Sequence, residues 1–328
     1  MSTRRDALWT LATALTTGRA RAGQANGDGA LPFADRRLRF AAVADGRRIL
    51  TNDDDWLAAT GGFQRRAMMG RAQPVSLSQF RQWNGDAVQP WSASQRARWQ
   101  TAAQAIEARV RELRLPLPDE TLLVSSNGQE SAGMPYTRAN AIVITLGGNA
   151  TPPAMDHWLM AHELWHVVSR HAPALADRVY REIGFEPVPQ LVWPAAWDDI
   201  RIANPDAPVN RHALPAEVDG RSVLLTPVLV AARTPLRLDE PFTALFELRL
   251  LELQPDADGR RSHAVMHDGA PRWHAVARVP AFLERLGGNT PYVIHPEETM
   301  AENVAHLLTG RPARNGDLLR RIEAALRG

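Results

Sequence analysis

Residues 161–168 read AHELWHVV, and the rest of the chain is best interpreted outward from this octapeptide. His162 and His166 are four positions apart, so on an α-helix both imidazoles project from one face and can reach one ion. Glu163 lies about 100° around the helix from His162, beside such an ion rather than on it. The apolar residues around these three predict a buried helix that presents two metal ligands and one carboxylate.

The choice of ligands is narrowed by the complete absence of cysteine. Thiolate sites and disulfides are therefore excluded, and a zinc ion would have to be held by histidine and carboxylate. A carboxylate beside histidine-bound zinc can take a proton from a water molecule and later pass it to a leaving amine. The motif thus predicts Zn²⁺ as cofactor, His162 and His166 as its ligands and Glu163 as general base.

A second acidic pattern follows much later, where residues 295–303 read HPEETMAEN. Pro296 suits the first turn of a helix, on which Glu298 and Glu302 would share a face. Together with HELWH, this pattern resembles the gluzincin group of zinc metallopeptidases, in which a later helix supplies a glutamate ligand. The resemblance implies Glu298 as third ligand. It implies Glu302 as the acceptor that fixes the tautomer of a ligand histidine.

The third ligand has alternatives, because the separation between HELWH and Glu298 is longer than in many members of that group. Glu182 and Glu186 lie nearer the motif and are also four apart. A glycine and a proline interrupt any helix between and after them, so the two cannot share a rigid face. Glu297 is the adjacent alternative if the register of the later helix is shifted by one residue.

The resemblance also implies the surroundings of the metal. Such peptidases place an exposed edge strand beside the metal, where the substrate adds as an extra strand. Ala141–Leu146 is the candidate here, and a plain buried core strand is the alternative interpretation. Tyr292 and His295, just upstream of Glu298, are the candidates for stabilising the oxyanion, with Tyr136 as an alternative. The stretch MPYTR at residues 134–138, the HELWH helix, SRH at residues 169–171 and GF at residues 184–185 together resemble an uncharacterised bacterial metallopeptidase family, and this resemblance covers about residues 50–310.

The rest of the chain mixes helices and strands without strict alternation, which predicts an α+β fold with a zincin-like catalytic core. We expect an N-terminal region, residues 23–140, packed on a metallopeptidase core, residues 141–328, with residues 23 to about 50 as a leader into the fold. The predicted helices are Ser92–Arg114, Thr151–Arg170, Pro173–Glu182, Pro296–Leu308 and Leu318–Leu326. The predicted strands include Thr121–Ser125 and Val223–Val230, and Trp193–Asn210 reads as a long loop.

The first 22 residues have the three parts of a secretory signal: a charged start with Arg4 and Arg5, a short apolar run, and a small-residue end. The paired arginines resemble a twin-arginine export signal, which predicts a periplasmic or extracellular protein. An amphipathic N-terminal helix is the alternative, and it would leave the protein in the cytoplasm. Cleavage would remove four arginines and one aspartate and take the formal net charge from +2 to −1.

Charge and hydropathy narrow the partners. All 38 basic residues are arginine, and they are scattered among acidic residues rather than grouped in a stripe. This predicts no nucleic-acid partner. No apolar run approaches the roughly eighteen residues that a membrane-spanning helix needs. The expected partner is a peptide or protein substrate.

Two other functions remain open from the sequence. A zinc hydrolase could act on a non-peptide amide, although the deformylase type is disfavoured because its ligands include a cysteine. Alternatively, a binding or regulatory domain could keep the fold without turnover. Glu163 argues against that second possibility, because a purely structural zinc site has no need of it.

Overall fold

The computed structural model describes residues 30–146 and 152–328, and the predicted export signal and Thr151, the first residue of a predicted helix, lie outside these ranges. The helices are α1 (Val43–Leu50), α2 (Asp55–Ala59), α3 (Gly62–Met68), α4 (Leu77–Asp86), α5 (Ala93–Glu112), α6 (Asp156–His171), α7 (Pro173–Tyr180), α8 (Pro280–Arg285), α9 (Pro296–Thr309) and α10 (Gly316–Arg327). The strands are β1 (Ala30–Phe33), β2 (Arg36–Phe40), β3 (Glu120–Ser126), β4 (Tyr136–Arg138), β5 (Ala141–Thr145), β6 (Glu186–Pro187), β7 (Leu191–Val192), β8 (Arg201–Ile202), β9 (His212–Val218), β10 (Arg221–Ala231), β11 (Phe246–Pro255), β12 (Ser262–Ala264), β13 (Met266–His267), β14 (Ala270–Pro271) and β15 (Trp273–His274). This mixture of helix and sheet confirms the α+β class.

The first sheet has the strand order β1-β2-β3-β5-β4, in which β2, β3 and β5 run parallel and the two outer strands are antiparallel. The predicted edge strand Ala141–Leu146 is therefore wrong in position, because β5 is paired on both sides. The last strand on that side, among the described residues, is β4. The predicted leader is also wrong over residues 30–50, which form β1, β2 and α1. Strands from both sides of residue 140 share this sheet.

The interior strands of this sheet are buried on both faces, as expected for parallel strands covered by helices. Leu123, Ile142 and Ile144 point into the largest core, which includes the apolar sides of α5, α6 and α9. The alternate residues Val124 and Val143 point into a second core with residues of α1. This burial explains why Ala141–Thr145 reads as a continuous apolar run rather than an alternating one.

The second sheet is built on three long antiparallel strands, β9, β10 and β11, with short strands attached at its edges. The predicted strand Val223–Val230 is confirmed within β10. The segment Trp193–Asn210, which reads as a loop, is irregular apart from one 3-10 turn and β8. It leads from β7 past α6 to β9, and this course brings it close to the two central helices.

The helices around HELWH form close to where the sequence predicts them, except that α6 begins at Asp156 and not near Thr151, because Pro153–Met155 form a 3-10 turn before it. Ser92 caps α5 and pairs with Gln95 in a capping box, which satisfies the first amide groups of this helix. The predicted helices at the end of the chain are confirmed as α9 and α10, and Gly310 ends α9 in the left-handed conformation. In the described part of the chain, none of the helices combines the length and apolar character needed to cross a bilayer.

Candidate metal centre

The helix α6 carries the HELWH motif through the middle of the protein. Its first residue, Asp156, accepts two hydrogen bonds from Arg98 of α5, Nε at 2.5 Å and Nη2 at 2.6 Å. Every residue from Met160 to Ser169 is buried. His162 and His166 project from the same face, with ring centroids 5.0 Å apart. The sequence pattern therefore places both imidazoles as the four-residue spacing predicts.

The helix α9 packs along α6 and supplies the acidic residues. His295 caps its N-terminus by accepting from the amide of Glu297 at 3.1 Å, and Pro296 follows in the first turn. Glu298 is 1% exposed and Glu297 is 7% exposed, so both carboxylates are directed inward. Because α6 and α9 are neighbours, three glutamates of α9 meet the two histidines of α6 across the helix interface.

The atoms that would hold a metal converge on one oxygen. Oε2 of Glu298 lies 3.2 Å from Nε2 of His162 and 3.6 Å from Nε2 of His166. Zinc bonds of about 2.0–2.1 Å in tetrahedral geometry place neighbouring ligand atoms about 3.3–3.4 Å apart. Nε2 of His166 is buried and has no hydrogen-bond partner among the described residues. These side chains therefore fit a metal ion held by two nitrogens and one carboxylate oxygen.

The other ring nitrogens are fixed from behind by carboxylates. Nδ1 of His162 lies 3.0 Å from Glu302, and Nδ1 of His166 lies 2.7 Å from Glu297. Ser169 donates to Glu297 at 2.6 Å, and the hydroxyl of Tyr180 donates to it as well. A carboxylate on Nδ1 puts the proton there and leaves Nε2 with its lone pair toward the metal. Both histidines thus have the partners that metal-binding imidazoles require.

Glu163 lies beside the three ligand atoms and not among them. The hydroxyl of Thr137 on β4 donates to its Oε2 at 2.9 Å. The residue is 3% exposed. Burial raises the pKa of Glu163, and the nearby histidines partly oppose this shift. A carboxyl with a raised pKa is suited to accept a proton and release it again.

The pKa values of the histidines and glutamates in this cluster are shifted because carboxylates outnumber imidazoles. Burial lowers the pKa of His162, but its hydrogen bonds to Glu298 and Glu302 outweigh burial and bring the pKa to about 10. Burial raises the pKa of Glu298, but the charge of His166 and the bond to His162 hold it well below its usual range. In the metal-free protein the histidines therefore carry protons that a cation would displace.

Two residues of the centre come from the segment Trp193–Asn210, and sequence reasoning missed both. Asn204 donates from Nδ2 to Oε1 of Glu298, the oxygen that does not face the histidines. Asp206 has a carboxylate oxygen that lies within 4.8 Å of ligand atoms of both Glu163 and His166. The only signal in the sequence is a pair of polar residues within the proline-rich run NPDAP, which is equally typical of an ordinary loop.

Of the candidates for oxyanion stabilisation, Tyr292 lies closest to the metal ligands, whereas His295 and Tyr136 are engaged in other hydrogen bonds. The ring of Tyr292 lies 6.2 Å from that of His162. Burial raises the pKa of Tyr292, and Glu298 and Asp206 raise it further, so its phenol belongs to the cluster. His295 uses Nδ1 to cap α9. The hydroxyl of Tyr136 donates to Glu130 at 3.0 Å, and this hydrogen bond holds Tyr136 on another side of β4 from the metal cluster.

The positions of Glu182, Glu186 and Glu297 decide between the alternatives for the third ligand. Glu182 pairs with Arg321 at 3.1 Å, and Glu186 pairs with Arg181 at 2.9 Å. Both pairs lie at the surface, outside the cluster that could hold a metal. Glu297 lies at the centre but behind His166, so Glu298 is the glutamate whose oxygen faces both Nε2 atoms.

Searches of protein-family models, of curated proteins and of solved structures find no match to this chain.

Proposed function

We propose that this chain is a zinc-dependent hydrolase of peptide bonds, in which His162, His166 and Glu298 hold the metal and Glu163 is the general base. The observation that carries the proposal is the convergence of two Nε2 atoms on one oxygen of Glu298 at 3.2 and 3.6 Å. A purely structural zinc site would be complete with a fourth protein ligand and would have no use for Glu163. The carboxylate of Glu163 next to the three ligands therefore favours an enzyme.

Zinc bound at these residues would supply Lewis acidity, which polarises a carbonyl and makes water acidic enough to be deprotonated at neutral pH. Thr137 holds Oε2 of Glu163 in place, so the carboxylate is oriented before substrate arrives. Glu163 takes a proton from the attacking water and delivers it to the nitrogen of the leaving amine. The phenol of Tyr292 donates a hydrogen bond to the carbonyl oxygen as negative charge develops on it.

The strand β4 gives the peptide a place to bind. It is short and forms the border of the first sheet, and its Thr137 contacts Glu163 directly. A peptide that pairs with β4 would run past the carboxylate of Glu163 with its backbone fixed by main-chain hydrogen bonds. This arrangement favours an extended peptide over a compact amide as the substrate.

The test is the substitution Glu163→Gln, which keeps size and removes the base. We expect the variant to bind about one zinc per chain like the wild type, since Glu163 is not a ligand. Cleavage of a mixed peptide library, followed by mass spectrometry, should fall by about 10²–10⁴. Glu186→Gln, which removes a surface carboxylate, is the matched control. Cleavage by Glu163→Gln at the wild-type rate would contradict the proposal and favour a binding domain.

A further inference from the structure

The segment Ala203–Pro208 covers the metal centre and is fixed at several points. Gln64 bonds to Ala203 in both directions, with its Nε2 donating at 2.8 Å and its Oε1 accepting at 2.9 Å. Arg170, one turn after His166 on α6, donates to the carbonyls of Pro205 and Asp206, both at 2.9 Å. With the contact from Asn204 to Glu298, these bonds hold the segment directly against the candidate ligands.

Asp206 occupies the outer edge of β4. Its Oδ1 accepts from the backbone amide of Thr137 at 2.6 Å. In the antiparallel pair β4–β5, Thr137 is opposite Ile142, and its amide is directed away from β5. An added peptide strand would need this same donor. The carboxylate of Asp206 therefore takes the hydrogen bond that a substrate backbone would take.

The same carboxylate also reaches the metal side of the centre. The carboxylate of Asp206 lies within 4.8 Å of a ligand atom of Glu163 and of one of His166. The position is on the Glu163 side of His166, where the attacking water and the scissile carbonyl would have to be. The three ligand atoms that meet around one point are those of His162, His166 and Glu298, so Asp206 covers the open side of the centre without completing its ligand set.

The burial of the centre agrees with this arrangement. His162 is 8% exposed and Glu163 is 3% exposed, which leaves no room for a peptide backbone beside them. The cover over this side comes from Asn204 and Asp206, both of which touch the cluster. A peptide can reach Glu163 only after this segment has moved.

We propose that the segment Ala203–Pro208 occupies the substrate site and that Asp206 holds it there, so that the arrangement described here is a self-blocked form of the enzyme. The inference rests on the proposed function, because it places Asp206 where substrate and water would bind. Opening requires that Asp206 leaves the amide of Thr137 and moves away from Glu163. A peptide substrate then competes with the protein's own segment for one site.

The test uses protein loaded with Co²⁺, whose visible absorption reports on its ligands, and acetohydroxamic acid, a small chelator that needs open coordination positions. In the wild type we expect weak binding of the hydroxamate. In Asp206→Ala we expect its dissociation constant to fall by about tenfold or more, because the closed form no longer competes. The Co²⁺ spectrum of Asp206→Ala should match that of the wild type before any hydroxamate is added, because the three metal ligands are unchanged. Asp198→Ala removes an exposed carboxylate outside the segment Ala203–Pro208 and should behave like the wild type in both measurements.

The outcomes separate this inference from the function on which it rests. If the wild type binds Co²⁺ but the hydroxamate affinity of Asp206→Ala is unchanged, the segment does not block the site and the inference is wrong. If the wild type binds no Co²⁺ at all, the proposed metal centre fails with it. Asp206→Asn, which keeps an acceptor for Thr137 and loses the charge, should fall between the wild type and Asp206→Ala. Co²⁺ binding by Asp206→Ala with the wild-type spectrum would show that its metal centre is folded, so that a change in hydroxamate affinity is not caused by misfolding.

Discussion

The carboxylate of Glu297, which is bonded to His166, provides a test of how the metal centre is built. Glu297 is 7% exposed and accepts from Nδ1 of His166 at 2.7 Å, and it also accepts from Ser169 and Tyr180. The substitution Glu297→Gln keeps an acceptor of the same size and removes the charge. A charge-assisted hydrogen bond contributes about 1.5–3 kcal/mol and a neutral one about 0.5–1.5 kcal/mol. The difference of about 1–1.5 kcal/mol corresponds to roughly a tenfold loss of metal affinity.

The assay is competition for zinc between the protein and a chromogenic chelator at fixed pH, with thermal unfolding as the check on folding. Glu302→Gln is the matched control, because Glu302 holds His162 in the same way but its side chain is 23% exposed. Water can partly replace that partner, so the loss should be smaller than at Glu297. Unchanged zinc affinity in Glu297→Gln would refute the role of Glu297 in supporting His166. A loss as complete as that of Glu298→Ala would make Glu297 itself a ligand.

The described contacts lead to four further expected outcomes. Tyr292→Phe should lower kcat by about 10²-fold with little change in KM if its phenol stabilises the oxyanion, and a change in KM alone would contradict that role. The pKa of His162 is raised to about 10, so a metal ion must displace its proton, and metal binding should strengthen by about tenfold per pH unit for each proton displaced. Proton release on metal binding in unbuffered solution measures this coupling, and pH-independent binding would contradict it. Protonated His162 stabilises the metal-free fold below pH 6.5, and this stabilisation should be lost as pH rises through about 10. The loss should appear as a lower Tm of the metal-free protein, which bound zinc prevents. Ser92→Ala should cost about 1 kcal/mol of unfolding free energy in urea, since the residue caps α5, and an unchanged free energy would show that the cap is not needed.

The sequence predicted the parts of the centre that depend on local periodicity. Two histidines four apart in an apolar run can only share a helix face, and a proline before three glutamates indicates where α9 begins. The structure brings His162, His166 and Glu298 together as those patterns suggest. The register of α9 also shows why Glu297 and Glu298 have different positions: they lie on adjacent sides of the helix, and only Glu298 faces both Nε2 atoms.

The parts that the sequence could not predict depend on contacts between distant segments. The strand β4 has three residues, preceded by a proline, and too few positions to show an alternating pattern. Its place at the sheet border, which the sequence predicts for β5, follows only from the pairing of the two strands. Asp206 reaches the centre because the segment between β8 and β9 crosses α6, and no periodicity describes such a course.

The central claim is tested most directly by the amount of zinc bound to the purified protein. Inductively coupled plasma mass spectrometry on the wild type, Glu298→Ala and Glu182→Ala would measure it after removal of loosely bound metal. The account predicts about one zinc per chain in the wild type and in Glu182→Ala, and a clear loss in Glu298→Ala. A wild-type protein that binds no zinc even when zinc is supplied would contradict the account and leave α6 as a core helix.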